Sequence, residues 1–186
     1  MKKLLTKSGA LILMLGMYAI NGQAGNKDRT GQSGATELLI NPWGQSTGVF
    51  GLNTANVRGI QAMKVNIAGL AYTENTEVGF SRSEILQGTG VSVNNLGLAQ
   101  KLGNFGVLGF NIMTMGFGDI TITDWDNPHG GIGTYRPQIL NVSLGFAKEF
   151  SENIYAGVGA TFVSEQISSI KANGAAFEAG VHYVSG

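Results

Sequence analysis

Asp119, Asp124, Asp126 and His129 lie close together around the stretch Asp124-Trp125-Asp126-Asn127-Pro128-His129. Carboxylates so spaced offer the hard oxygen ligands that calcium takes, but the ordered positions of an EF-hand loop are missing. The expectation is a solvated surface loop without a metal. Trp125 and Tyr135 add amphipathic aromatics, which anchor protein interfaces or sit in an aromatic girdle at a membrane surface. Asp124, Trp125, Asp126, His129 and Tyr135 are therefore a candidate partner-contact loop. Glu178 and His182 are four apart, which on a strand places an acid and a base on one face. A polar interior also needs such residues, and no Gly-x-Ser-x-Gly elbow accompanies Ser164-Glu165. Gly157 and Gly159 sit inside a strand pattern and open no helix, so they are not a nucleotide loop. The absence of Cys removes thiolate metal sites and cysteine nucleophiles. The expectation is a chain that is not an enzyme and holds no cofactor.

The composition constrains the elements that carry these residues. Of 186 residues only 13% are charged, and 29 are Gly, against averages of about 25% charged and about 7% Gly in soluble proteins. Both departures suit a wall that meets lipid. Lys+Arg and Asp+Glu balance at 12 each, so there is no basic field to gather nucleic-acid phosphates.

Lys2, Lys3 and Lys7 precede an apolar run from Gly9 to Ile20, and Gly22-Gln23-Ala24 follows as a small-x-small site. A run of about 12 residues is too short to span a bilayer as a helix, so 1–24 is expected to be a signal peptide. Residues 25–34 are polar and turn-rich, and are expected to form a mobile leader. Between 35 and 75 short apolar pieces alternate with Gly, Asn and Thr, with one short helix expected from Asn53 to Met63. Gly59 is the weak point inside it.

From 76 to 186 the pattern turns to period two, the strand signal. Leu140, Val142, Leu144 and Phe146 alternate with Asn141, Ser143, Gly145 and Ala147; Ala175, Phe177, Ala179, Val181 and Tyr183 alternate with Ala176, Glu178, Gly180 and His182. Ile154 to Phe162 behaves likewise, as do Leu108, Phe110 and Ile112, and Val78 and Phe80. Val91 to Gln100 changes phase midway, which predicts a bulge or a local tilt. Six strands result. Lys101–Asn104 and Phe150–Asn153 read as tight turns, while 84–90, 116–137 and 164–173 read as longer loops. Short turns on one side and long loops on the other is the layout of an outer-membrane barrel. A soluble sandwich would instead carry many Lys and Glu on its polar face.

The expected fold is thus an all-β transmembrane antiparallel β-barrel in the cell outer membrane, in contact with lipid. Six strands fall short of the about eight that the smallest such barrels have, and Val184-Ser185-Gly186 ends without an aromatic. This predicts the N-terminal part of a longer chain, with an oligomeric barrel of short chains as the alternative.

Ala35-Thr36-Glu37-Leu38-Leu39-Ile40-Asn41-Pro42, Gly51-Leu52-Asn53-Thr54-Ala55, Asn66-Ile67-Ala68-Gly69-Leu70-Ala71, the run Asn141–Phe150 and the run Asn173–Gly180 together resemble the PorV/PorQ family of outer-membrane proteins, relatives of the FadL-type barrels. Ile67 stands where the wider group's Asn-Pro-Ala-Gly-Leu has Pro. The resemblance implies a FadL-like barrel of about fourteen strands, within the known range, with 35–71 folded inside it as a hatch. Arg58 and Lys64 of that hatch are candidate partners for interior carboxylates such as Glu178, beside His182. The resemblance also implies a role in type IX secretion, with exported cargo bearing C-terminal signal domains and other secretion-system proteins as partners. A FadL-like channel for hydrophobic small molecules is the second expectation, and a barrel enzyme, such as an outer-membrane lipase, the third.

Overall fold

The computed structural model describes residues 34–85 and 87–185. The expected signal peptide and all of the expected leader but Gly34 lie outside them. Among the described residues no helix is long and apolar enough to cross a membrane. The chain is mostly antiparallel β-sheet. Six strands, β1 (Thr76–Glu84), β2 (Ser92–Lys101), β3 (Val107–Gly116), β6 (Gln138–Ser151), β7 (Ile154–Ile167) and β8 (Ile170–Tyr183), pair in the order β1-β2-β3-β6-β7-β8. Each is antiparallel to its neighbours. The short β4 (Ile120–Thr121) and β5 (Thr134–Tyr135) form a separate ladder within the connection from β3 to β6.

The period-two pattern sorts the side chains onto two unlike faces. One face exposes Val78, Phe80, Leu96, Leu98, Leu108, Leu144, Val158, Phe162, Phe177 and Val181. The other is mostly small or polar, with Val93, Val107, Met113, Met115 and Val163 buried among these residues, and the register aligns it in rows. Glu77, Ala99, Gly109, Gly145, Gly159 and Glu178 stand side by side across all six strands. The next row is Gly79, Gly97, Asn111, Ser143, Thr161 and Ala176.

Residues 36–72 cover this second face. They contain the 3₁₀ turns η1 (Thr36–Leu39), η2 (Gly59–Lys64) and η3 (Ile67–Tyr72), and the five-residue helix α1 (Gly44–Gly48). The sheet glycines allow close approach. A Cβ on Gly97 would strike Ile60, one on Gly109 would stand 2.6 Å from the Met63 sulfur, and one on Gly145 2.8 Å from Ile67 Cδ1. Ile60, Met63, Ile67 and Leu70 are at most 2% exposed. Burying each apolar side chain of this size contributes about 1.5–3 kcal/mol, an upper bound set by the extended-chain reference. The turn-rich segment is thus held by its fit to a glycine-lined sheet.

Three expectations need correction. No helix runs from Asn53 to Met63: the chain turns at Asn53–Asn56, Arg58 is extended, and η2 starts at Gly59 with φ +70°. That left-handed conformation interrupts a helix. No bulge interrupts β2, whose register with β1 and β3 runs unbroken. The phase change arises because Val93 packs inward with Met113 and Met115, whereas Leu96 and Leu98 point outward. The irregularity lies instead between β6 and β7, at Glu149/Ser151. Nor is 164–173 a long loop, since β7 and β8 pair as far as Ile167↔Ile170 and turn through Ser168 at φ +54°.

Candidate functional site

The interface between the turn segment and the sheet gathers most of the buried polar chemistry. Its keystone is Asn66, which caps η3. The Asn66 side chain accepts a hydrogen bond from Ala68 N–H (3.2 Å), and its amide donates to the carbonyls of Thr54 (3.3 Å) and Val181 on β8 (3.2 Å). Gly180 leaves the room for it, as a Cβ there would collide with Asn66 Oδ1. Gly69 lies against the Val57 carbonyl in the same way, which explains the small residue in Ala68-Gly69-Leu70-Ala71. An Asn before a turn of this kind is a recognised cap signal, and it was available in the sequence.

His182 lies beside this latch, 4% exposed, with Nε2 2.9 Å from the Thr54 carbonyl. A carbonyl only accepts, so Nε2 carries the proton and is the donor. Tyr72 of η3 stacks on Tyr155 of β7 with ring centroids 4.2 Å apart, and Arg58 lies 4.5 Å from the centre of the Tyr72 ring. Arg58 therefore makes a cation–π contact rather than the expected contact with an interior carboxylate. Glu178 shares the face of His182, but no hydrogen bond joins the two; His182 instead ties the turn segment to β8.

Lys64 ends η2 within electrostatic reach of Glu178 and Glu37. Burial pushes the Lys64 ammonium down, and the two carboxylates partly offset this. Burial also pushes the Glu37 carboxyl up, with Glu165 adding to the effect. Neither interaction is a close ion pair. At the β1 edge the Ile60 N–H donates to Glu77 Oε2 at 3.1 Å, tying η2 to the first strand. Beyond it, Leu39, Ile40, Phe50, Ile85 and Val93 line an apolar crevice of ≈ 810 Å³.

The candidate partner loop stands apart from this interface. Asp119 and Arg136 clasp its base through two hydrogen bonds, one of them from Nη2 to Oδ2 at 2.7 Å. These bonds hold the Asp119 carboxyl below its usual range. At the tip, Asp124 Oδ1 accepts from the N–H groups of Asp126 (3.0 Å) and Asn127 (2.6 Å) and from Asn127 Nδ2 (3.0 Å). That ordered turn leaves Trp125 fully exposed. Asp126 and His129 are exposed, and Tyr135 lies in β5 paired with Ile120. Among the described residues no three His, Asp or Glu side chains are grouped so as to hold a metal ion. Asp119 and Asp124 are engaged within the loop itself.

Sequence reasoning passed over Glu37, Glu77, Tyr72 and Tyr155, and gave Asn66 no role of its own. The importance of the first four arises from contacts across the sheet that no local pattern reveals, whereas the cap position of Asn66 was legible. Comparison with protein-family models and with curated proteins finds no match to this chain.

Proposed function

We propose that the chain forms part of the wall and the internal hatch of an outer-membrane β-barrel that serves type IX protein secretion, binding exported cargo or the translocon and attachment machinery. The observation that carries the membrane part is the inverted distribution of polarity. Phe177 is 85% exposed, Phe80 68% and Val158 59%, while Asn111 and Asn141, on the opposite face, are fully buried. In water this arrangement presents apolar surface on every strand of the sheet and hides amides, which opposes the hydrophobic effect. In a bilayer the same arrangement is favourable, because acyl chains receive the apolar face and the polar face looks into an enclosed interior.

Both β1 and β8 leave one edge free of any partner strand in the described sheet. A closed wall satisfies such edges, and open ones are not tolerated in hydrocarbon. A FadL-like barrel of about fourteen strands, within the known size range, supplies the pairing. Residues 36–72 then lie inside the wall, where the glycine rows seat them.

The secretion role rests on the family resemblance of the turn segment, of β6 and of β8. It predicts that deleting the gene leaves cargo with C-terminal signal domains in the periplasm; normal surface delivery refutes it. A second reading, a channel for hydrophobic small molecules, is favoured by the apolar crevice beside β1. An apolar ligand retained by the purified protein, with cargo delivery intact in the deletion strain, selects that reading.

A further inference from the structure

The polar face carries one feature that neither reading of the function uses. Asn95, Asn111 and Asn141 are 1%, 0% and 0% exposed, and none of their six amide nitrogen and oxygen atoms has a hydrogen-bond partner among the described residues. The register groups them. Asn95 and Asn141 both pair with Met113, one on each side, and Asn111 is two residues before Met113 on the same strand. Asn111 is therefore diagonal to both, and directly opposite Ser143. Ser143 in turn shares a 2.8 Å hydrogen bond with Thr161. Three amides and two hydroxyls form one continuous polar patch on four adjacent strands.

Apolar groups enclose the patch. Ile60 packs on Gly97 next to the Asn111 amide, and Ile40 packs on the cluster of Val93, Met113 and Met115. Asn95 and Asn141 stand two strands apart, roughly 9–10 Å, with Met113 between them, so they cannot satisfy each other. Buried amides are almost always hydrogen-bonded, because leaving one unpaired forfeits its hydration without return.

We propose that Asn95, Asn111 and Asn141, with the Ser143–Thr161 hydroxyl pair, bind a cluster of internal water molecules between the sheet and the turn segment. Water fits the chemistry: it offers both donors and acceptors, needs two to four polar partners, and is the one such molecule small enough for so enclosed a place. Seating these waters requires the segment above to stand away from the patch. The seam between segment and wall then has two parts. At the glycine rows it is dry and interlocked, through Met63, Ile67 and Leu70; at the asparagine patch it is wet. The proposal requires neither the membrane reading nor the secretion reading.

The test uses the full chain, ¹⁵N-labelled, in detergent micelles. Water-to-amide cross-relaxation is expected at the side-chain NH₂ groups of all three asparagines, from waters resident long enough to count as bound. No such signal at any of the three, or couplings showing that the amides bond to one another, overturns the proposal. Asn111→Leu, which keeps the number of side-chain heavy atoms, supplies a second readout. Loss of a satisfied, water-linked amide lowers the urea midpoint of unfolding, whereas an unchanged or higher midpoint shows a dry, orphaned amide and also overturns it. Should that variant fail to fold, the cross-relaxation measured on the unsubstituted chain decides the matter.

Discussion

Gly157→Ala tests whether the wall and the turn segment fit as closely as described. Gly157 is buried on β7 and faces η3. A Cβ there would stand 2.9 Å from the Ile67 carbonyl oxygen, 3.1 Å from its carbon and 3.0 Å from the Ala147 Cβ. The first two atoms are backbone, and Asn66 fixes that backbone to β8, so no side-chain rotation relieves the contact. Overpacking of this kind costs about 1–3 kcal/mol. Alanine recovers about 0.5–1 kcal/mol relative to glycine in a strand interior, so the net loss is about 0–2.5 kcal/mol, centred on about 1 kcal/mol. Gly174 on the neighbouring β8 is the control, because a Cβ there meets nothing within 4 Å. Gly174→Ala should gain about 0.5–1 kcal/mol. Urea unfolding followed by Trp43 fluorescence, in a Trp125→Phe background, reads both. Trp43 is 6% exposed and packs on Gly79, so it reports on the docked segment. Opposite shifts in midpoint with unchanged slopes are expected. Equal shifts, or a stabilised Gly157→Ala, would refute the close fit.

Asn66→Ala removes one bond from the turn segment to β8 and two within the segment, and should cost about 1–3 kcal/mol; faster hydrogen exchange over residues 53–72 than over β2 and β3 is the measurement. Val158→Arg, on the outward face, should destabilise the protein folded in vesicles by about 2–4 kcal/mol if the site lies near the midplane, whereas a water-exposed strand would tolerate it. The Asp119–Arg136 clasp depends on pH in one direction. With the Asp119 carboxyl lowered by Arg136, the clasp is fully present above the ordinary Asp pKa and is lost as pH falls through the depressed value. Proteolysis at 117–137 should accelerate only across that acidic window, and Asp119→Asn should abolish the change. Glu37 has the opposite sign, because burial raises its carboxyl. Glu37→Gln should raise the urea midpoint at neutral pH, and the advantage should shrink as acid protonates the native glutamate.

Most of the strands were legible because their alternation is a local property. Leu140 to Ala147 and Ala175 to Tyr183 declare both the strand and the face of every residue. β2 misled because Val93 serves an upper inner cluster while Leu96 and Leu98 serve the outer face; a regular strand with two apolar duties imitates a bulge. The β7–β8 turn misled because Ser164 to Asn173 are mostly polar, yet they pair well beyond the apolar band. The turn segment was legible as irregular, but its docking was not. Arg58 and Lys64 were singled out for their charge, whereas the contacts that hold the segment come from Asn66, Ile60 and Ile67 facing glycines on distant strands and from Tyr72 on Tyr155. Only the register of all six strands brings those glycines into rows.

The central claim is that the apolar face meets acyl chains and the polar face an enclosed interior. Because the chain has no Cys, single cysteines can carry spin labels at Phe80, Leu144 and Phe177 on one face and at Ala176 on the other, in protein reconstituted into lipid vesicles. The account predicts that the first three labels relax with dissolved oxygen and are shielded from a water-soluble nickel chelate, and that Ala176 shows no such lipid profile. Ready access of the chelate to Phe80, Leu144 and Phe177, in a folded chain that stays in the aqueous phase, would contradict it.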